Sequence, residues 1–209
     1  MKYLYLLVFS ISTLHAQQWV QMSDLPSPRH HPVTFSLDGL GYMVTGTNTF
    51  NAPTDDFYQY DPFVDSWTQL PDFPGPARSF SIGAVYEGKA YMGFGAGSAI
   101  LYSDLWVYDP NSQQWTELAT CPCQPRRHPA FVIENGKIYI GLGDGDFGNL
   151  GDWHVYDIAS DTWQALPSLP GDPRHHPYMF AAGGSVYTGL GHAGPIIYSD
   201  WYRWDPTVN

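Results

Sequence analysis

Ala130-Phe-Val-Ile-Glu134, Asn135-Gly136, Lys137-Ile-Tyr-Ile-Gly-Leu-Gly143, then Trp153-His-Val-Tyr-Asp157 and Trp163-Gln-Ala-Leu166 are the segments that decide the fold. The first two runs are short, apolar and rich in β-branched or aromatic residues, which is the composition of strands. Between them Asn135-Gly136 tolerates positive φ at both positions, so it closes a tight hairpin. A Gly-rich loop precedes the third run, and a polar turn separates the third from the fourth. Four short strands therefore lie within less than 40 residues, and one such sheet cannot bury both its faces alone.

The unit recurs. Trp19, Trp67, Trp115 and Trp163 stand forty-eight residues apart, and the same step relates Asp56, Asp104, Asp152 and Asp200. Tyr60, Tyr108, Tyr156 and Trp204 keep it too, as do Asp61, Asp109, Asp157 and Asp205. Asp38-Gly39, Glu87-Gly88 and Gly183-Gly184 occupy the place of Asn135-Gly136, and Asp61-Pro62 and Asp109-Pro110 form the later turn. Stacking of neighbours buries the faces that a single unit leaves open. The fold class that follows is all-β: a β-propeller of four-stranded antiparallel blades with four repeats, at about 19–66, 67–114, 115–162 and 163–209.

Composition agrees. Fifteen Tyr, eleven Phe and eight Trp accompany many Gly and Pro, and past the first residues no window carries an uninterrupted helical apolar period. Residues 1–16 read as a signal peptide: Lys2, an apolar run from Leu4 to Leu14, and Ala16 at the cleavage point. That run is too short to span a bilayer, and no other segment reaches the required length. A secreted or periplasmic protein is expected, with its propeller over residues 17–209. Twenty acidic residues against nine basic ones exclude the basic surface that nucleic acid requires and disfavour an anionic membrane.

Further residues identify a family. In the second copy Pro76 and Arg78 are followed by Tyr91, Gly93 and Gly95, then Asp104-Leu-Trp-Val-Tyr-Asp-Pro110 and Trp115-Thr-Glu-Leu118. This pattern resembles the kelch-repeat family along essentially the whole mature chain, with alternating glycines such as Gly141-Leu-Gly143 in place of the usual Gly-Gly pair. The resemblance implies a binding module for a protein or carbohydrate ligand. The secreted kelch group also includes copper oxidases similar to galactose oxidase and epimerases of sialic acids, so a metal-dependent enzyme is the alternative. The copper ligand set of the oxidases, with its Cys–Tyr crosslink, finds no residue-by-residue match. Kelch-like propellers commonly close by joining N- and C-terminal strands, so Trp19-Val-Gln-Met22 is a candidate outer strand for the blade of Tyr178 to Asp205. The next repeat Trp would fall at 211, beyond Asn209, and an interrupted longer propeller is the expectation.

Candidate chemistry lies in Pro28-Arg-His-His-Pro32, which recurs as Pro173-Arg-His-His-Pro177 and, varied, as Pro125-Arg-Arg-His-Pro129. The equivalent stretch of the second copy, Ala77-Arg-Ser-Phe-Ser81, has no histidine. These segments precede the first strand of each blade, which in propellers lines the central channel. The candidate ligand-binding residues are Arg29, His30, His31, Arg78, Arg126, His128, Arg174, His175 and His176. His31, His128 and His176 share one repeat position and are the candidate ligands of a divalent transition metal. The other reading is that each repeat reuses one side chain for one packing task, with Arg bonded to a carboxylate or carbonyl of the next blade. Loop residues Asp144, Asp146 and His192 vary between copies and are available to a site. Cys121 and Cys123, two residues apart with one proline between them, are a poor span for a disulfide; they pair with each other or with a cysteine elsewhere.

Overall fold

The computed structural model describes residues 19–207, so the signal peptide expected over 1–16 lies outside the described residues. The first blade comprises β1 (Arg29–His30), β2 (Val33–Leu37), β3 (Leu40–Asn48), β4 (Pro53–Asp61) and β5 (Ser66–Leu70). The second is β6 (Ile82–Tyr86), β7 (Lys89–Gly93), β8 (Leu105–Asp109) and β9 (Gln114–Leu118). The third holds β10 (Ala130–Glu134), β11 (Lys137–Gly141), the ribbon β12 (Asp144–Gly145) and β13 (Gly148–Asn149), then β14 (Trp153–Asp157) and β15 (Thr162–Leu166). The fourth has β16 (Tyr178–Ala182), β17 (Ser185–Gly189), the ribbon β18 (His192–Ala193) and β19 (Ile196–Ile197), and β20 (Trp201–Trp204). Neighbouring strands of each blade pair antiparallel. The four strands read from Ala130 to Leu166 fall where expected, and among the described residues no helix is long and apolar enough to cross a membrane.

The turns hold for the stated reason. Asn135 and Gly136 both sit at positive φ (49° and 71°), as do Asp38-Gly39, Glu87-Gly88 and Gly183-Gly184, the left-handed pair that matches strand twist in a hairpin. The alternating glycines serve a second bend. In blade 3, Leu142 (φ 59°) and Gly143 (φ 98°) turn the chain out of β11, and a Cβ on Gly143 would lie 2.8 Å from the Arg127 carbonyl oxygen. That crowding excludes a side chain there.

The core lies between blades. Inner strand β2 packs on β6, β6 on β10 and β10 on β16. Val44, Phe57, Met92 and Tyr108 belong to one cluster, Phe94, Leu105, Ile138 and Ile140 to the next, and Tyr139, Leu142, Val155 and Val186 to the third. Second strands are therefore buried on both faces, as in β11, whereas outer β5, β9 and β15 keep one face wet. A fully buried Leu105 or Ile138 contributes on the order of 1.5–3 kcal/mol.

One expectation changes, and one pair of alternatives is settled. Trp19 to Met22 form no strand and Trp19 is fully exposed, so among the described residues the fourth blade has three main strands, β16, β17 and β20, and residues 19–22 do not complete it. The segment instead runs on to Ser23, whose N–H donates to Asp65 (2.8 Å) and whose carbonyl accepts from Trp67 Nε1 (3.0 Å). Blade 3 repeats this tie through Ala119, Asp161 and Trp163. In blade 2 the linker residue is Pro71, which has no N–H to donate, the Asp position is Gln113, and Trp115 Nε1 is buried without a partner. Cys121 and Cys123 are bonded to each other with Cα atoms 5.2 Å apart. The bend through Pro122 brings them within ordinary disulfide range despite their short separation.

Candidate functional site

The repeated Pro-x-Arg or Pro-Arg element opens each blade, and its arginine belongs to the fold. Arg78 and Arg126 each grip an aspartate of their own blade in a two-pronged pair, Asp104 at 2.6 and 2.6 Å and Asp152 at 2.8 and 2.7 Å. Arg29 pairs with Asp56 and Arg174 with Asp200 in the same way. The guanidinium also donates to the carbonyl of Thr45, Phe94, Leu142 or Leu190. Each arginine side chain is 0–1% exposed. Arg29, Arg78, Arg126 and Arg174 thus have their donors committed inside the blade, and the acceptor is the blade's own aspartate rather than one of the next blade. Burial alone would raise Asp56 and Asp152, but the hydrogen bonds and charge of Arg29 and Arg126 outweigh it and hold both carboxyls below the ordinary range. The joint between blades is made by backbone: Gly46, Gly95 and Gly143 N–H donate to the carbonyls of Arg78, Arg126 and Arg174.

The next residues reach the axis. His31, Phe80, His128 and His176 each adopt a left-handed backbone (φ 52°, 59°, 50° and 51°), which turns the chain into the first strand and aims the side chain inward. Their rings pack in a row, tilted or edge to face: His31 to Phe80 at 4.4 Å between centroids, Phe80 to His128 at 4.7 Å, and His128 to His176 at 3.9 Å. His128 Nε2 is buried without a hydrogen-bond partner. Burial, with the neighbouring His176 and His31 imidazoles, pushes His128 down to about 3. His31, His128 and His176 therefore do meet, as expected, but as a ring-on-ring plug. His30 joins them through a 2.6 Å contact between its Nδ1 and that of His31.

Beside this plug, one backbone bridge recurs with different side chains. The residue after the arginine pairs across to the end of the second strand: His30 with Thr47, Ser79 with Ala96, Arg127 with Asp144, and His175 with His192. In blade 3 the pair is an ion pair, Arg127 Nη2 to Asp144 Oδ2 at 2.6 Å. In blade 4 it is two imidazoles, to which His176 adds a third. Ring nitrogens of His175, His176 and His192 all lie within 4.8 Å of one another. His192 reads in the sequence only as a variable loop residue, because nothing there shows that the bend after Gly189 pairs it with His175. Burial, then the neighbouring imidazoles, lowers the pKa of both His175 and His176, so both are neutral at neutral pH.

The loops at this same end of the blades carry large apolar side chains into water. Phe50, Ile100, Phe147 and Ile197 are 60–99% exposed, each in the connection between the second and third main strands of its blade. A groove lined by His176, Tyr178, Leu190, His192, Ile197 and Tyr198 opens beside the imidazoles. Sequence reading did not single out these apolar tips, although their common place in the repeat was available as a signal.

Four-stranded blades stacked about an axis, each opened by Arg and an inward ring, define a propeller of the kelch class. The chain matches the KLHDC2/KLHL20/DRC7 Kelch-repeats domain over residues 2–140, more than half of its 209 residues, and it belongs to the kelch-repeat family. Among solved structures it is similar in fold to YjhT, with a TM-score of 0.72, 19% identity, and coverage of 83% of this chain and 63% of that one. The chain thus spans less than two thirds of the YjhT chain. No curated protein matches it in sequence.

Proposed function

We propose that this kelch propeller is an exported binding module whose channel mouth docks a protein partner. One observation carries the reading: all four blades place a large apolar side chain in solvent at the same end, namely Phe50, Ile100, Phe147 and Ile197. Scattered exposed apolar residues need no explanation, but apolar tips repeated around one mouth, rimming a polar centre of imidazoles, have the layout of an interface. Two of the four tips, Ile100 and Ile197, are aliphatic and offer no ring on which a sugar could stack, and the mixed aromatic and aliphatic set fits a protein surface better than a carbohydrate. Export is supported by the apolar leader and by the Cys121–Cys123 disulfide, a bond that persists in oxidising compartments. A metal-dependent enzyme of the secreted kelch group is the second reading, favoured by the His175, His176 and His192 group.

Affinity capture from the native extracellular or periplasmic fraction tests the first reading. The bait is compared with a Phe50→Ser, Ile100→Ser, Phe147→Ser, Ile197→Ser variant and with a Phe63→Ser, Val64→Ser control. Phe63 and Val64 are also exposed but lie in the β4–β5 turn, at the other end of the blade. A stoichiometric protein retained by wild type and control but lost from the mouth variant supports the reading. Equal retention by all three defeats it, and elution of a glycan in place of a protein makes carbohydrate the ligand.

A further inference from the structure

We propose that His175, His176 and His192 form a binding site for a divalent transition metal of the Zn2+ class, sharing only His176 with the axial row of His31, His128 and His176. The site stands apart from the docking reading and does not depend on it.

Three observations carry the inference. The first is ligand geometry: His176 Nδ1 and His192 Nε2 face each other at 3.3 Å, and two ligands at ~2.05 Å from a tetrahedral zinc are separated by about 3.3 Å. The second is orientation of the third ring: His175 Nδ1–H donates to Asn149 Oδ1 at 2.9 Å. That bond selects the tautomer with its lone pair on Nε2 and fixes the ring plane, the task that outer partners perform for metal-bound histidines. The third is comparison within the molecule. The bridge that carries His175 and His192 carries Arg127–Asp144, Ser79–Ala96 and His30–Thr47 in the other blades, so the scaffold has no need of an imidazole pair at this place. Blade 4 alone among the described blades combines the imidazole pair with a third histidine in reach.

The arrangement is also open. His176 is exposed, and His175 and His192 are partly so. An ion can enter from the mouth, and three imidazoles leave a fourth position for water or for a side chain of a docked partner. Three imidazole nitrogens without a carboxylate among them suit zinc, copper or nickel better than calcium or magnesium. Asp144, a carboxylate whose charge reaches His175 and His176, is already held by Arg127.

The test is titration of the full mature chain with Zn2+ alone by calorimetry, with Co2+ as a spectroscopic stand-in. One equivalent should bind, and Co2+ should give the intense visible bands of a tetrahedral nitrogen site. His192→Ala, which copies Ala96 of blade 2, should weaken binding at least 30-fold with an unchanged circular dichroism spectrum. Asn149→Ala should weaken it about 10-fold, and His31→Ala should leave it unaltered. Absence of saturable binding, or binding indifferent to His192→Ala, overturns the proposal. Loss of the site in His31→Ala with retention in His192→Ala overturns it as well, by moving the ion to the axial row.

Discussion

Replacing Asp104 by Ala removes the carboxylate from a guanidinium that has no access to water. The Arg78 side chain is 0% exposed and Asp104 only 14%. The substitution deletes two charge-assisted hydrogen bonds of 2.6 Å, and a third from Trp106 Nε1 at 2.8 Å. Arg78 retains the carbonyls of Pro76 and Phe94 and the face of Tyr102, 4.2 Å from its ring centroid. Breaking one side of a buried ion pair costs about 3–5 kcal/mol, and the contacts that remain place this case near 3 kcal/mol. For a domain of this size that is a fall in Tm of roughly 6–12 °C. Arg78→Met with Asp104→Ala removes both charges and fills the space, so most of the loss should return. Lys89→Ala, which removes an exposed pair with Asp109, should leave Tm unchanged. Urea unfolding of the four proteins reads these differences. A loss below about 1 kcal/mol in Asp104→Ala, or a double variant no better than the single one, would refute the view that the repeated Arg–Asp pair is a fold element.

Gly143→Ala should destabilise by about 2 kcal/mol or more, because it combines left-handed backbone with a backbone contact, whereas Gly136→Ala, free of backbone neighbours, should lose about 1 kcal/mol; equal losses in thermal melts would contradict this. The carboxyls of Asp56, Asp152 and Asp200 are held below the ordinary range. Their contribution is therefore complete above the unfolded value near 3.9 and is lost as pH falls through the lower folded values. Wild-type Tm should fall more steeply below about pH 4 than that of Arg126→Met, Asp152→Ala, and parallel acid limbs would argue against it. N-terminal sequencing of exported protein should begin at Gln17, and an intact Met1 would remove the leader from the account.

Much of the scaffold is legible in the sequence because each repeat solves the same local problem with the same residues. Asn135-Gly136 and its equivalents announce hairpins through their φ requirements, and the forty-eight-residue step of Trp and Asp marks the blade. The inward position of His31, His128 and His176 follows from the repeat as well. Other features depend on pairing across the bend after the second strand. The step of Asp56, Asp104, Asp152 and Asp200 is plain in the sequence, yet their role as arginine partners emerges only when the third strand returns beside the second and brings its leading aspartate to the arginine ahead of the first. His192 and Asn149 lie in ribbons whose register comes from the left-handed turn at Leu190-Gly191 and Leu142-Gly143, which spacing alone does not fix. Trp19 shows the converse: its place in the repeat suggests an outer strand, yet no sheet edge takes it among the described residues.

Hydrogen exchange on the mature chain, free and bound to the partner that the mouth captures, tests the central claim most directly. The account predicts protection in the four mouth loops, at residues 48–52, 97–101, 145–149 and 193–198, with the β4–β5, β8–β9 and β14–β15 turns unaltered. Protection confined to those turns at the opposite end, with the mouth loops exchanging as in the free protein, would contradict it.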